Sequence, residues 1–234
     1  MLKNKILKKI TIAIDGFSST GKSTLAKQLA KHLGYVYVDT GAMYRAVAFY
    51  AMQKGYVSKN YFDKESLIKD LPQVDLQFHF NDVLGFAEMF LNGKNVESEI
   101  RTLAVSNCVS LIAEISEVRL KLVASQQEMG KNKAIVMDGR DIGTVVFPDA
   151  ELKIFMNSSA HTRAERRYKE LIEKGQKVTF AEVLNNVEQR DFIDSTREDS
   201  PLLKAADAIE IDNSTMSKQE QFDLVLKLVN QKIK

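Results

Sequence analysis

Apolar positions along this chain form two kinds of stretch, and the two alternate. Ile10-Thr-Ile-Ala-Ile14 is a short, nearly continuous apolar run and reads as a buried strand. Leu25, Ala26, Leu29, Ala30 and Leu33 then recur at helical spacing. The alternation repeats: Val36-Tyr-Val38 predicts a strand, and about Ala42 to Gln53 a helix. Ala134–Met137, Leu152–Met156 and Ala208–Ile211 are further short apolar runs, with helices filling the spaces between. Capping boxes mark two helix starts, Thr179 with Glu182 and Ser217 with Glu220. The second opens an amphipathic helix over 217–231, suited to packing on the body or to supporting a dimer. Apolar strands separated by helices imply a parallel sheet covered on both faces.

One stretch breaks the alternation. From Val74 to Val96 the period is two, with Val74, Leu76, Phe78 and Phe80 on one side, followed by Phe86 to Leu91. Asn81-Asp82 and Asn92-Gly93 stand at turn positions, and Asn-Gly is a strong hairpin signal. A small antiparallel insert of two or three strands is expected at roughly 60–98, either a structural flap or a mobile cover over a substrate.

Between the first strand and the first helix lies Gly16-Phe-Ser-Ser-Thr-Gly-Lys-Ser-Thr24, the pattern G-x-x-x-x-G-K-[ST] of a phosphate-binding loop. Its context is the one the motif needs. Gly16 and Gly21 can adopt backbone angles that side chains forbid, so successive N–H groups can point at an anion. The helix start adds unpaired donors and the positive end of the dipole. Lys22 can reach the β- and γ-phosphates, and Ser23 can offer its hydroxyl to Mg²⁺.

Composition narrows the class. A chain of 234 residues allows one α/β domain with insertions or two small domains. A net charge of +2 provides no whole-protein field directed at nucleic acid or membrane. A single cysteine, Cys108, rules out an internal disulfide and suits a reducing cytoplasm; it reads as a reactive thiol or a small buried residue on an apolar helix face. The opening Met-Leu-Lys-Asn-Lys-Ile-Leu-Lys-Lys is basic but lacks the apolar stretch of a signal peptide, and no run approaches the length of a membrane span. His32, His79 and His161 show no metal-ligand spacing.

The remaining candidate chemistry lies in aspartates and arginines. Asp39-Thr-Gly-Ala-Met-Tyr-Arg45 follows the second strand, and Asp138-Gly-Arg-Asp141 follows another, where such sheets place ligand-binding loops. An Asp at position 138 is where a phosphate-loop enzyme keeps a carboxylate near Mg²⁺, although Asp-Gly after a strand is usually only a turn. Arg163, Arg166 and Arg167 share a helix with Glu165, Lys169, Glu170 and Glu173. That pattern fits a solvated face with pairs such as Glu165–Lys169, or a lid that brings guanidinium groups onto phosphates. Arg190, Asp194 and Arg197 recur at intervals of four and three on one helix face, as a surface ion-pair ladder or as a grip on a ribose phosphate.

Together the blocks at 16–24, 39–45 and Asp138-Gly-Arg-Asp-Ile-Gly-Thr-Val-Val-Phe-Pro-Asp149 resemble bacterial cytidylate kinases, the last block most specifically. Glu99-Ile-Arg101, the Ser110/Arg119 segment and Arg190-Asp-Phe-Ile-Asp-Ser-Thr-Arg197 fit the same family, so the resemblance spans about residues 10–212. It implies the P-loop nucleoside monophosphate kinase fold: an α/β protein with a five-stranded parallel sheet flanked by helices. A small antiparallel insert would lie in the monophosphate-binding region and a helical lid beside it. The implied division is a core of 8–40, 100–157 and 200–234, a monophosphate region of about 41–99 and a lid of about 158–180.

The implied reaction is phosphoryl transfer from ATP, with Mg²⁺, to CMP or dCMP. The implied partners are those small nucleotides, with no nucleic acid or membrane, and the protein would be a cytoplasmic monomer. Position by position, Gly16, Phe17, Ser18, Ser19, Thr20, Gly21, Lys22, Ser23 and Thr24 would hold the ATP phosphates, with Ser23 on the metal. Asp39, Thr40, Tyr44, Arg45 and Arg140 would surround the acceptor phosphate. Ser110, Arg119, Asp141 and Arg197 would read cytosine or order the groups that do, and Arg190 and Asp194 would meet the sugar. Asp138 would sit between the nucleotides, and Arg163 and Arg167 would close from the lid, placing them with Lys22 and Arg140 at the chemistry. The chain departs from the family's commonest pattern at Phe17, often Pro; at Ser19-Thr20, often Gly-Ala; and at Thr40, often Ser. Left open are another acceptor, such as UMP, AMP or shikimate, and a nucleotide-binding switch that hydrolyses ATP slowly.

Overall fold

A computed structural model describes residues 8–58 and 60–233; the basic opening segment through Leu7 lies outside them. The chain runs β1 (Thr11–Gly16), α1 (Lys22–Leu33), β2 (Val36–Asp39), α2 (Thr40–Gln53), β3 (Val57–Ser58), β4 (Tyr61–Phe62) and α3 (Lys64–Asp70). It continues through β5 (Leu76–Asn81), β6 (Phe86–Leu91), β7 (Lys94–Asn95), α4 (Leu103–Ala113), α5 (Ser116–Met129), β8 (Ile135–Gly139) and β9 (Leu152–Asn157). It ends with α6 (Ala160–Glu173), α7 (Phe180–Thr196), β10 (Ile209–Asp212) and α8 (Lys218–Lys232).

Five strands form one parallel sheet in the order β10-β9-β1-β8-β2. β1 and β8 are buried along their whole length, which explains their unbroken apolar runs. All five strands outrun the apolar pattern, β9 to Asn157 and β10 to Asp212 among them. Asp15 and Gly16 end β1, Asp39 ends β2, and Asp138 and Gly139 end β8, because ladder pairing continues after the apolar residues stop. Those polar ends all open on one edge of the sheet, the edge where open parallel sheets bind ligands. Helix α1 begins inside the glycine motif, at Lys22. Helix α2 begins at Thr40, two residues before the expected start, because the Asp39 carboxylate caps it by accepting from the Ala42 amide at 2.9 Å.

The insert is antiparallel as expected, in the order β5-β6-β7, and Asn92 and Gly93 both take positive φ in its tight turn. It is not purely β: the region also holds α3 and the short β3–β4 ribbon, whose strands are too short to leave a periodic pattern. The Val74–Phe80 side is buried only near its root. Val74 is covered, whereas Phe80 is 67% exposed where the hairpin projects beyond the core.

Four bodies of apolar packing position the site, one of them Ala13, Val38, Met137 and Ile142 on the face of the sheet beneath it. Met43, Val47, Leu67, Met89, Ile112 and Leu122 join α2, α4 and α5 to the insert. Ile12, Leu29, Val225 and Val229 bury α8 against α1 and the sheet, so α8 packs on the body. Helices α6 and α7 share a small separate cluster of Ala164, Leu171, Val183 and Val187.

Gly16 joins the sheet to the phosphate loop at φ +140°, and a Cβ there would overlap the Met156 carbonyl oxygen of β9. We expect Gly16→Ala to lower the unfolding free energy by about 2–4 kcal/mol. A urea melt followed by circular dichroism measures this; a loss below about 1 kcal/mol would mean that the loop and β9 separate freely.

Candidate active site

The phosphate loop is held from both sides. Thr20 Oγ1 donates to the Phe17 carbonyl at 3.0 Å and Lys22 Nζ to the same oxygen at 2.5 Å. From the far end of the sheet, Asn213 Nδ2 donates to the Thr20 carbonyl at 2.5 Å. From α6, Arg163 donates to the Ser18 carbonyl at 3.3 Å. Phe17 fills its place with its ring, edge-on to Phe155 at 6.1 Å and beneath the Arg163 guanidinium at 5.1 Å. Burial pushes Lys22 well below its usual value. Arg140 adds to that, while Asp138 and Asp15 oppose it.

Asp138, at the end of β8, is the hub beneath the loop. Its carboxylate accepts from Ser23 Oγ at 2.9 Å and from Tyr37 Oη at 2.8 Å, and its backbone carbonyl accepts from Thr40 Oγ1 at 2.7 Å. Burial, with Asp39 adding, pushes it up to about 6. Asp39 is gripped by Arg45 at 3.1 Å and Arg101 at 2.8 Å, and Arg101 is itself held by Glu97.

A second pocket, of about 50 Å³, opens beside the loop between α2, α4, α5 and α7. Of the expected acceptor-site residues, Thr40, Tyr44, Arg45, Ser110, Arg119, Arg140, Asp141, Arg190, Asp194 and Arg197 line it; Asp39 and Asp138 do not. The polar walls are mutually paired. Arg140 Nε donates to Asp194 at 2.8 Å, and Ser110 Oγ to the other oxygen of Asp194 at 2.9 Å. Arg119 is bonded to Asp141 and to the Ala113 carbonyl, and its guanidinium faces the Tyr44 ring at 5.6 Å. Three polar atoms at this pocket, Tyr44 Oη and the Nε atoms of Arg45 and Arg190, are buried with no hydrogen-bond partner, whereas Arg119 Nε lies 3.6 Å from the Asp199 carboxylate.

The pocket joins a larger cleft of about 330 Å³ between the loop and α6, lined among others by Ser23, Lys27, Arg101, Arg140, Arg167 and Arg190. Positive charge there exceeds what the carboxylates neutralise. Burial, then Arg140, pushes Arg190 down to about 9; burial, then Arg101, pushes Arg45 down to about 10 although Asp39 opposes. A dense cationic cleft on a helix start is built for a polyanion.

The α6 arginines divide. Arg167 lines the cleft, bonded to Glu170 at 2.9 Å and to the Arg101 carbonyl at 2.9 Å. Arg163 is buried against Asp191, and Arg166 donates to Asn213 at 3.0 and 2.9 Å. Glu165 faces His161 at 3.7 Å, one turn back along the helix. The three arginines are therefore anchored to other elements, Arg163 buried and Arg166 and Arg167 half-buried.

Several site residues escaped the sequence reading. Lys27 lies four residues after Ser23 on the same helix face and could have been found from that spacing; its ammonium sits 3.5 Å from the Phe86 ring centroid of the insert. Tyr37 and Asn213 gave no local signal, since their partners lie about a hundred residues or more away. Arg101 stood within a family-like segment without a role.

Strand-end geometry, loop and charge together define a P-loop kinase. Residues 12–231 match the sequence model of the cytidylate kinase family, and the chain belongs to that family. It is 68% identical over 224 residues to a cytidylate kinase of Flavobacterium psychrophilum, covering 96% of this chain and 99% of that one. It is 57% identical over 215 residues to a cytidylate kinase of Phocaeicola vulgatus, covering 92% and 94%. Among solved structures, an uncharacterized protein from Eubacterium ventriosum shares the fold, with a TM-score of 0.50 at 14% identity over 96% of this chain and 99% of that one.

Burial alone would raise the Asp39 carboxyl, but Arg101 and Arg45 outweigh it and hold it well below the usual range. A carboxyl depressed in the folded state stabilises above its unfolded pKa, and that stabilisation drains away as pH falls. Asp39→Asn should therefore cost about 3–5 kcal/mol near neutrality. Its gap from wild type should narrow below about pH 4. Urea titrations at pH 7 and pH 3 compare the two; an equal gap at both would remove the charge of Asp39 from the account.

Proposed function

We propose that the chain transfers the γ-phosphoryl group of ATP to CMP or dCMP, giving ADP and CDP or dCDP. The observation that carries this reading is the set of buried polar atoms with no hydrogen-bond partner, Tyr44 Oη and the Nε atoms of Arg45 and Arg190, in residues that line one pocket beside a phosphate loop. Leaving such groups unpaired costs about 1–3 kcal/mol each, so the pocket suits a polar, anionic acceptor. Cytosine presents an amino donor beside ring-nitrogen and carbonyl acceptors. A carboxylate at Asp141 and a guanidinium at Arg119 or Arg197 complement that edge. Uracil reverses the first two groups and leaves buried partners unsatisfied.

In this reading the amides of residues 16–24 and Lys22 hold the ATP phosphates. Thr40, Tyr44, Arg45 and Arg140 surround the acceptor phosphate, with Asp39 holding Arg45. Ser110, Arg119, Asp141 and Arg197 face the base, and Arg190 and Asp194 the sugar. The cavity of about 270 Å³ behind the loop, with Thr24, Arg166, Asn213 and Gln221 in its wall, suits the donor's base.

Ser23 Oγ and the Asp138 carboxylate, 2.9 Å apart, are the hard oxygen donors that Mg²⁺ takes. No cluster of three or more His, Cys, Asp or Glu able to hold a metal occurs among the described residues. When bound there, Mg²⁺ supplies neutralisation of charge on the phosphates. The residues do the rest by position. Arg140 and Arg167 line one cleft with the loop that carries Lys22, and an acceptor phosphate is already ionised, so in-line transfer needs no general base.

Helix α6, which shares a small core with α7, is the natural lid over about 158–180. The core would comprise 8–40, 100–157 and 200–234, and the monophosphate region 41–99. We read Arg163 as bracing the loop and Arg167 as facing the phosphates. Partners would be small nucleotides only, and the chain a cytoplasmic monomer. No described helix is long and apolar enough to cross a membrane.

ADP formation from Mg·ATP with CMP, dCMP, UMP, AMP or no acceptor tests the reading. Strong turnover with CMP or dCMP, weak with UMP and absent without acceptor is expected; equal turnover across acceptors, or turnover with none, overturns it. Lys22→Ala should keep the fold and lose about 100-fold or more in turnover.

A further inference from the structure

Asp15 is buried, 5% exposed, and has no part in the roles above. It ends the apolar run of β1, one residue before the phosphate loop begins, and lies opposite Gly139 in the β1–β8 register. Its carboxylate spans two strand-end loops. Oδ1 accepts from the Ile142 amide at 2.8 Å and Oδ2 from the Gly143 amide at 2.7 Å. These backbone amides are its hydrogen-bond partners among the described residues. A buried carboxylate satisfied by amides alone is expensive, and burial pushes Asp15 up to about 7 against the downward pull of both bonds.

The geometry on the other side of the contact shows what that expense maintains. Ile142–Val146 is a wide helical turn, closed by Val146 N–H to the Asp141 carbonyl at 3.2 Å and Phe147 N–H to the Ile142 carbonyl at 2.6 Å. The first amides of such a turn have no acceptor within it. Asp15 takes two of them and so fixes where the turn starts. The residues immediately before the start are Arg140 and Asp141, which pair with Asp194 and Arg119 in the acceptor pocket. The contact is also sterically tight: a Cβ on Gly143 would meet Asp15 Oδ2 at 3.3 Å and Lys153 Cδ at 3.1 Å.

We propose that Asp15 is a positioning residue for acceptor recognition: by clamping the Ile142 and Gly143 amides it sets Asp141 and Arg140 against the base and phosphate of the acceptor. The inference rests on the CMP-kinase reading. It ties the strand that carries the donor loop to the loop that reads the acceptor, so the two nucleotide sites share one rigid reference.

Wild-type acceptor dependence is measured first, and its failure would remove the CMP-kinase reading itself. With that in hand, Asp15→Asn keeps the shape but replaces one acceptor oxygen with an NH₂ that faces an N–H. Its KM for CMP should rise about tenfold or more, its KM for ATP should stay within about twofold, and its CMP-to-UMP ratio of kcat/KM should fall about tenfold. A purely structural role would lower the thermal midpoint and leave that ratio unchanged, which overturns the proposal. Gly143→Ala, which presses the same contact from the turn side, should shift the ratio in the same direction and decides the matter if Asp15→Asn does not fold; an unchanged ratio there overturns the proposal equally.

Discussion

Backbone pairing of β1 with β8 puts Ile14 opposite Asp138, and pairing with β9 puts Gly16 opposite Met156. Most distances in the site descend from those two ladders. The loop begins where β1 leaves its hydrogen-bonded neighbours, and Asp138 ends the apolar run of the adjacent strand, which is how Ser23 and a carboxylate 115 residues away meet at 2.9 Å. A one-residue slip would turn Asp138 to the other face of the sheet. The burial of both strands on both faces protects that register, because a slip would carry Asp15 among the apolar side chains of α1 and α8 and Asp138 among those of Met137 and Ile142 on the other face.

Charge is organised on that frame in pairs. Asp39 holds Arg45 and Arg101, Asp194 holds Arg140, Asp141 holds Arg119, and Asp191 holds Arg163. Each carboxylate comes from a different strand end or helix than most of the arginines it orients, so the guanidinium groups are fixed by tertiary structure and not by local sequence. Buried ion pairs of this kind add little net stability. Their value is orientation: donors already aimed need no reorganisation when negative charge moves between phosphates.

That dependence also explains what could be read from the sequence. The loop at 16–24 was legible because its residue types are required by backbone geometry. β1, β8 and β9 were legible because burial on both faces leaves unbroken apolar runs, and the partly exposed edge strands β2 and β10 were legible from shorter ones. The strand ends were not, since Asp15, Asp39 and Asp138 continue the ladder while looking like loop residues. Within the insert the Asn92-Gly93 turn was visible, whereas β3, β4 and α3 were hidden by their shortness. The α6 arginines resisted for a different reason. Arg163 and Arg167 are one turn apart, yet one is buried on Asp191 and the other reaches the cleft, and only the position of α7 decides which. Tyr37 and Asn213 act on partners that no local pattern connects to them.

Phe17 has a consequence of another kind. A proline at that position would restrict the backbone before folding as well as after, so part of the loop's order would be intrinsic to the chain. Phenylalanine confers no such restriction. Here the loop draws its order from contacts of the ring with Phe155 in the sheet and with Arg163 on α6. One of those partners is fixed and the other belongs to a helix pair with its own small core. The entropy of the phosphate loop is thereby linked to where that helix pair stands. With α6 in this position the loop is held from two sides. Were α6 to move as the proposed lid, the loop would loosen on one of them, and donor-phosphate affinity and lid position would become two readings of one equilibrium, with an aromatic ring as the joint between them.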